Sequence, residues 1–114
     1  MTLLNAELHI NVSILKENIC YLKTKIDKKS NFLAVVKANA YGHSLKKFVE
    51  KLDDYIDGYA LVRLDEALQV RDLSEKPILL MQGIYDDDEA LIAKRNGFMC
   101  VLHTQEQIRT YSRN

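Results

Sequence analysis

The sequence predicts an α/β fold built from parallel strand–helix units, and three observations carry that prediction. Four short, continuous apolar runs recur along the 114 residues: FLAVV (Phe32 to Val36), GYALV (Gly58 to Val62), PILLM (Pro77 to Met81) and FMCVL (Phe98 to Leu102). Runs without polar alternation are typical of strands buried on both faces of a parallel sheet. Each is followed by a stretch with helical spacing, and strand–helix repeats at this interval read as βαβ units.

Taken in order, the chain opens on alternation. Leu4, Ala6, Leu8, Ile10 and Val12 interleave with Asn5, Glu7, His9 and Asn11, a period of two that predicts a half-buried strand with His9 in solvent. The period then lengthens. Val12, Leu15, Ile19, Leu22 and Ile26 step by three and four, which predicts an amphipathic helix with this stripe in the core. DKKSN (Asp27 to Asn31) closes it. Behind the four apolar runs, helices are expected at Leu45 to Leu52, Leu64 to Leu73, Asp86 to Arg95, and from Gln105 onward. The third begins with Asp86, Asp87, Asp88 and Glu89, ends with Lys94 and Arg95, and is followed by Gly97. That charge order complements the helix dipole, and the glycine suits a left-handed C-terminal cap. Thr104 and Gln107 have the spacing of a capping box for the fourth.

No GxGxxG follows the first apolar run, which removes the usual dinucleotide-binding sign. A closed (β/α)8 barrel takes about 250 residues, so four βα units make half of one. The expected architecture is a partial TIM-type barrel, preceded by an N-terminal strand and helix, with two strand edges open to pairing. Sixteen basic residues balance sixteen acidic ones, which gives no argument for a nucleic-acid or membrane surface. No apolar run approaches the roughly 18 residues of a membrane span, and MTLLNAELHINV lacks the features of a signal peptide. Cys20 and Cys100 form no CxxC pattern and read as packing residues, reduced in a cytoplasmic setting.

The chemistry concentrates in AVVKANAYGHS (Ala34 to Ser44). Lys37 stands where the first βα strand should end, and functional groups gather at the carboxyl ends of strands in such folds. Small residues follow, with Gly42 free to take positive φ, and Tyr41 offers a hydroxyl to an anion. An apolar setting disfavours the charged form of an amine and makes it a better nucleophile. Such a lysine suits condensation with a carbonyl, including the aldehyde of pyridoxal 5'-phosphate. Among the remaining candidates, His43 reads as a cap for the next helix, and His103 ends the fourth strand with no visible partner. Arg63 reads as an ion pair with Asp65 or Glu66. The histidines share no metal-ligand spacing, so no metal is expected.

This motif resembles the cofactor-attachment run of alanine racemases, usually AVVKANAYGHG. Ten of eleven positions agree, and Ser44 replaces the final glycine. AELHINVSILKENICYLK, GYALVRLDEALQVRD and KPILLMQG resemble the same family's opening strand and helix and its second and third strands. The resemblance implies a homodimeric, pyridoxal-phosphate-dependent isomerase that interconverts L- and D-alanine, the latter for peptidoglycan. Lys37 would carry the cofactor and act as base on the D-alanine side. Tyr41 would hydrogen-bond the phosphate, and Met81 would lie near the cofactor. Residues 1–11 would form a strand packed with a C-terminal β domain absent from this chain, and 12–114 a truncated N-terminal half of the barrel. The family's second base, a tyrosine of the partner subunit, and its arginine facing the pyridine nitrogen lie in later sequence, so the isolated chain is expected to be inactive. A racemase of serine or another amino acid, a non-catalytic cofactor-supply barrel, which lacks the KANAYGH turn, and an inactive relic are the alternatives.

Overall fold

The computed structural model describes residues 6–114. The elements run α1 (Val12–Lys23), β1 (Leu33–Val35), a left-handed turn α2 (Lys37–Tyr41), α3 (Leu45–Leu52), a 3₁₀ turn (Asp53–Tyr55), β2 (Gly58–Leu61), α4 (Leu64–Leu73), β3 (Ile78–Leu80), α5 (Asp87–Arg95), β4 (Met99–Cys100) and α6 (Gln105–Arg113). The four strands form one sheet in the order β1-β2-β3-β4, every pair parallel. The α/β class and the four βα units hold, and α3 and α4 occupy the expected residues.

Register decides which face is core. Ala34 lies opposite Tyr59, Tyr59 opposite Ile78, and Leu61 opposite Leu80. Paired residues of parallel strands project to the same face. These five are buried, in one cluster with Val49 and Leu52 of α3, Val70 of α4 and Ala90 of α5. The opposite face is apolar yet open. Leu33, Val35 and Met99 keep 37%, 41% and 43% of their surface in solvent. Burial on both faces is therefore corrected to burial on one, because among the described residues no second layer covers the face that carries Leu33 and Val35.

Two N-terminal expectations also change. Ala6 to Ile10 lie in no strand, because an alternating segment needs a partner ladder to become one; Met1 to Asn5 fall outside the described residues. Helix α1 starts at Asn11, whose side chain accepts from the Ile14 amide at 3.0 Å, and ends at Thr24, short of Ile26. Its stripe is only half core. Ile19 is buried and Val12 and Leu15 pack against the cluster, while Leu22 and Ile26 remain exposed. Cys20 is exposed and does not pack; Cys100 is partly buried, and desolvation pushes its thiol up.

Two polar locks pin opposite ends of the sheet. Ahead of the strands, Asp53 Oδ1 accepts from the Tyr59 and Ser74 hydroxyls, both at 2.6 Å. Lys76 Nζ donates to the carbonyls of Asp53 and Ile56. Arg71 donates to the carbonyls of Ser74 and Lys76 and covers the Phe98 ring at 5.4 Å. Beyond the strands, Gln107 Nε2 donates to the carbonyls of Gln82 (2.9 Å) and Ile84 (3.1 Å), and its Oε1 accepts from the His103 amide at 2.6 Å. Thr104 caps α6 by accepting from the Gln107 amide at 3.1 Å. The expected box is thus displaced by one residue, since Gln107 reaches back to His103. The chain between β3 and Ile84 turns at Gly83, φ 78°, where a Cβ would stand 2.3 Å from the Val101 carbonyl oxygen. Among the described residues no helix is long and apolar enough to cross a membrane.

Candidate functional site

The carboxyl ends of β1, β2 and β3 lead into Lys37, Arg63 and Gln82, and these side chains line one cleft of about 580 Å³. The segment after β1 is unusual. Ala38, Asn39, Ala40 and Tyr41 all have φ between 53° and 56°, and Gly42 follows at 85°. This is a turn of left-handed helix made mostly of non-glycine residues, each of which costs about 1–2 kcal/mol in that conformation. Gly42 takes the positive φ its sequence allowed; the four residues before it were not legible as left-handed. The signals available were small alanines flanking an asparagine, the residue type that tolerates this region best after glycine.

Specific bonds hold the turn. The Ala40 amide donates to the Val36 carbonyl at 2.9 Å and the Gly42 amide to Ala38 at 3.0 Å. The Asn39 amide donates to Glu66 Oε2 of α4 at 2.7 Å, and Asn39 Oδ1 accepts from the Leu45 amide of α3 at 2.8 Å. Asn39 therefore ties the turn to both neighbouring helices. Glu66 Oε1 is buried with no partner among the described residues. In the sequence, Glu66 reads only as an ion-pair partner for Arg63. The Arg63 ion pair is with Asp65, at 2.6 Å.

His43 is not the helix cap. Its Nδ1 lies 3.0 Å from the Ala40 carbonyl, while Ser44 Oγ accepts from the Lys47 amide at 3.3 Å. Ser44 sits at φ 74°, ψ 102°, a positive φ that strains a residue with a Cβ more than it strains glycine. Strain of this kind costs on the order of 1–3 kcal/mol, and exchanging a serine cap for glycine loses only a few tenths. Ser44→Gly is expected to stabilise the fold by about 1 kcal/mol, seen as a higher denaturant midpoint; a lower midpoint would show that the cap outweighs the strain.

Lys37 is exposed and its side chain makes no ion pair or hydrogen bond among the described residues. The apolar setting expected for it is not formed, because the open sheet walls the cleft on one side and the lining includes Arg63, Asp65 and Glu66. Tyr41 is 60% exposed and lines a different cavity of about 540 Å³, which also takes in Val36, His43 and Phe48. The two cavities share no residue. Met81 and His103 meet beyond β3 and β4, His103 Nε2 lying 2.8 Å from the Met81 carbonyl. His9 remains exposed beside Glu7.

A primary amine at the mouth of a cleft this size fits a small cofactor held through an aldehyde, since such sites run to several hundred Å³. The anion end is less complete, with Arg63 tied to Asp65 and Tyr41 turned to the neighbouring cavity.

Residues 10–114 match the family described as alanine racemase, N-terminal domain. A curated alanine racemase of Mannheimia succiniciproducens is 38% identical over 109 residues, which cover 95% of this chain and 30% of that protein. The chain thus spans under a third of the length of the curated relatives it matches. Among solved structures, the alanine racemase of Acinetobacter baumannii superposes with a TM-score of 0.81 at 31% identity, covering 91% of this chain and 31% of that one. A histidine racemase from Leuconostoc mesenteroides subsp. sake reaches 0.76 at 27% identity, covering 90% of this chain and 27% of that one. The four parallel βα units correspond to the N-terminal part of the TIM-type barrel in the alanine racemase structures.

Proposed function

This chain belongs to the family of alanine racemase N-terminal domains, and from that premise we propose that it forms the cofactor-bearing part of a pyridoxal-phosphate-dependent racemase that interconverts L- and D-alanine. The observation that carries the proposal is Lys37, placed at the carboxyl end of β1 within KANAYGH and lining an open cleft. When bound, the cofactor supplies an electron sink that loosens the α-proton of an amino acid.

Lys37 Nζ would hold the cofactor through its aldehyde, with loss of water. Freed from it, the same amine would hold and return a proton on one face of Cα. The Tyr41 hydroxyl, 60% exposed on the far side of the turn, would donate to the phosphate. Racemisation needs a second proton-handling group on the opposite face. The residues near Lys37 that could hold one, Asp65 and Glu66, are engaged with Arg63 and with the Asn39 amide. We therefore place the second base outside the described residues.

A second reading keeps the scaffold and cofactor but changes the amino acid. The likeness to a histidine racemase favours it, because that protein shares the same strand-and-helix frame.

Borohydride reduction with stoichiometric pyridoxal phosphate, followed by peptide mass spectrometry, tests the proposal. One pyridoxyl group per chain is expected, on the peptide that contains Lys37, and Lys37→Ala should abolish it. Modification spread over surface lysines, or unchanged in K37A, would overturn the proposal. The chain alone should racemise neither alanine nor histidine; turnover would place a second base inside it, and the amino acid turned over would decide between the two readings.

A further inference from the structure

We propose that Glu66 is a positioning residue: its carboxylate holds the left-handed turn after β1, and through that turn it sets where Lys37 presents its amine. The inference rests on the reading of Lys37 as the cofactor-bearing lysine, and it concerns a residue one helix away from the motif.

The geometry comes first. A turn of four consecutive non-glycine residues at φ 53–56° does not persist on its own; the surrounding structure must over-determine it. Its internal bonds satisfy backbone groups but would serve a right-handed turn equally well. Two contacts from outside are specific to the observed conformation. One is Asn39 Oδ1 accepting from Leu45 N–H at 2.8 Å. The other is Asn39 N–H donating to Glu66 Oε2 at 2.7 Å. The second uses a charged acceptor, and such bonds are roughly twice as strong as neutral ones. It is made by the amide two residues beyond Lys37.

The second observation is the cost that accompanies this contact. Glu66 Oε1 is buried and unpartnered. A carboxylate with one oxygen stranded is an expensive way to satisfy a single amide, and a group left unsatisfied in a folded protein calls for a reason. A role confined to helix α4 does not supply one, because Asp65, one residue earlier, already places a carboxylate in that first turn. The position of Glu66 does supply one. It lines the same cleft as Lys37 and Asn39, so its carboxylate acts as a fixed post between the helix layer and the strand end.

The test uses the 114-residue chain. In the cofactor-free protein, backbone NMR couplings report positive φ at residues 38–41, and amide exchange reports protection of Asn39. With pyridoxal phosphate, the rate of borohydride trapping at Lys37 reports presentation of the amine. Glu66→Ala should lose the positive-φ signature and the Asn39 protection and slow trapping roughly tenfold or more, as expected for loss of a hydrogen bond to a charged acceptor. Glu66→Gln keeps an oxygen for Asn39 and should stay within a few-fold of the parent. If E66A does not fold, Glu66→Asp, shorter by one methylene, takes its place with the same expectations.

Retention of the turn, or a lost turn with trapping unchanged, overturns the inference. So does slowed trapping with the turn intact, because Glu66 would then act by another route. If the unmodified chain is not trapped at Lys37 at all, the functional reading fails. The NMR comparison still decides whether Glu66 holds the turn.

Discussion

Replacing Gly83 with alanine is expected to destabilise the chain by about 3 kcal/mol. Two terms combine. At φ 78° an alanine pays the left-handed cost of about 1–2 kcal/mol. Its Cβ would then stand 2.3 Å from the Val101 carbonyl oxygen and 3.1 Å from Gln107 Nε2. The first of these contacts is backbone that pairs with β3, since the Val101 amide donates to the Leu80 carbonyl at 3.1 Å. The strand must shift, and such overpacking costs typically 1–3 kcal/mol. Gly97 is the control. Its φ is 67°, but an added Cβ meets nothing within 4 Å, so Gly97→Ala should show the conformational term alone, about 1–2 kcal/mol. Denaturant midpoints at constant slope measure both. Equal losses in the two variants would mean that the clash is relieved without cost and that the β3–β4 end is softer than its bonds suggest.

Loss of Asp53 is expected to be of similar size. The Tyr59 and Ser74 hydroxyls both donate to its Oδ1, and Tyr59 is fully buried. Asp53→Ala strands both donors, at about 1–3 kcal/mol for a buried group left unpaired, for a total near 3 kcal/mol. Removing the donors as well should recover part of this, so the triple variant Asp53→Ala, Tyr59→Phe, Ser74→Ala should be more stable than D53A with both hydroxyls kept. Strict additivity would show that the three do not form one network. The same lock predicts alkaline sensitivity. Burial, and then the Asp53 carboxylate, push the Tyr59 phenol far above its ordinary value of 10.0. The folded state therefore keeps a proton that the unfolded chain releases above pH 10, and stability falls as pH rises beyond that point. Tyr59→Phe should flatten this part of the pH profile; a profile as steep as the parent's would assign it to other groups.

Much of this was legible in the sequence because local chemistry and packing agreed. The helix-like stretches Leu45 to Leu52 and Leu64 to Leu73 coincide with α3 and α4, and Asp86, Gly97 and Thr104 mark ends that the structure uses. Lys37 falls just past β1, as the apolar run predicted. What was not legible depended on the other side of an interaction. The apolar runs state that a strand face wants cover, not whether this chain provides it, so Leu33, Val35 and Met99 read as core in the sequence and stand open in the structure. Alternation from Leu4 to Val12 predicts a strand only where a second strand is at hand. The family resemblance assigns Lys37 and Tyr41 to one cofactor, but a motif does not convey the hand of the turn between them. Glu66 could be linked to Asn39 only in three dimensions, since 27 residues separate them in sequence.

The hand of that turn also determines which stereoisomer suits it. Ala38 and Ala40 occupy backbone angles that are the low-energy basin of the opposite enantiomer. A chain made by chemical ligation with D-alanine at position 38, which is exposed, would keep the backbone bonds of the turn and shed steric strain there. The segment beside Lys37 is thus one short stretch of this protein whose shape a mirror-image building block would suit better than the natural one.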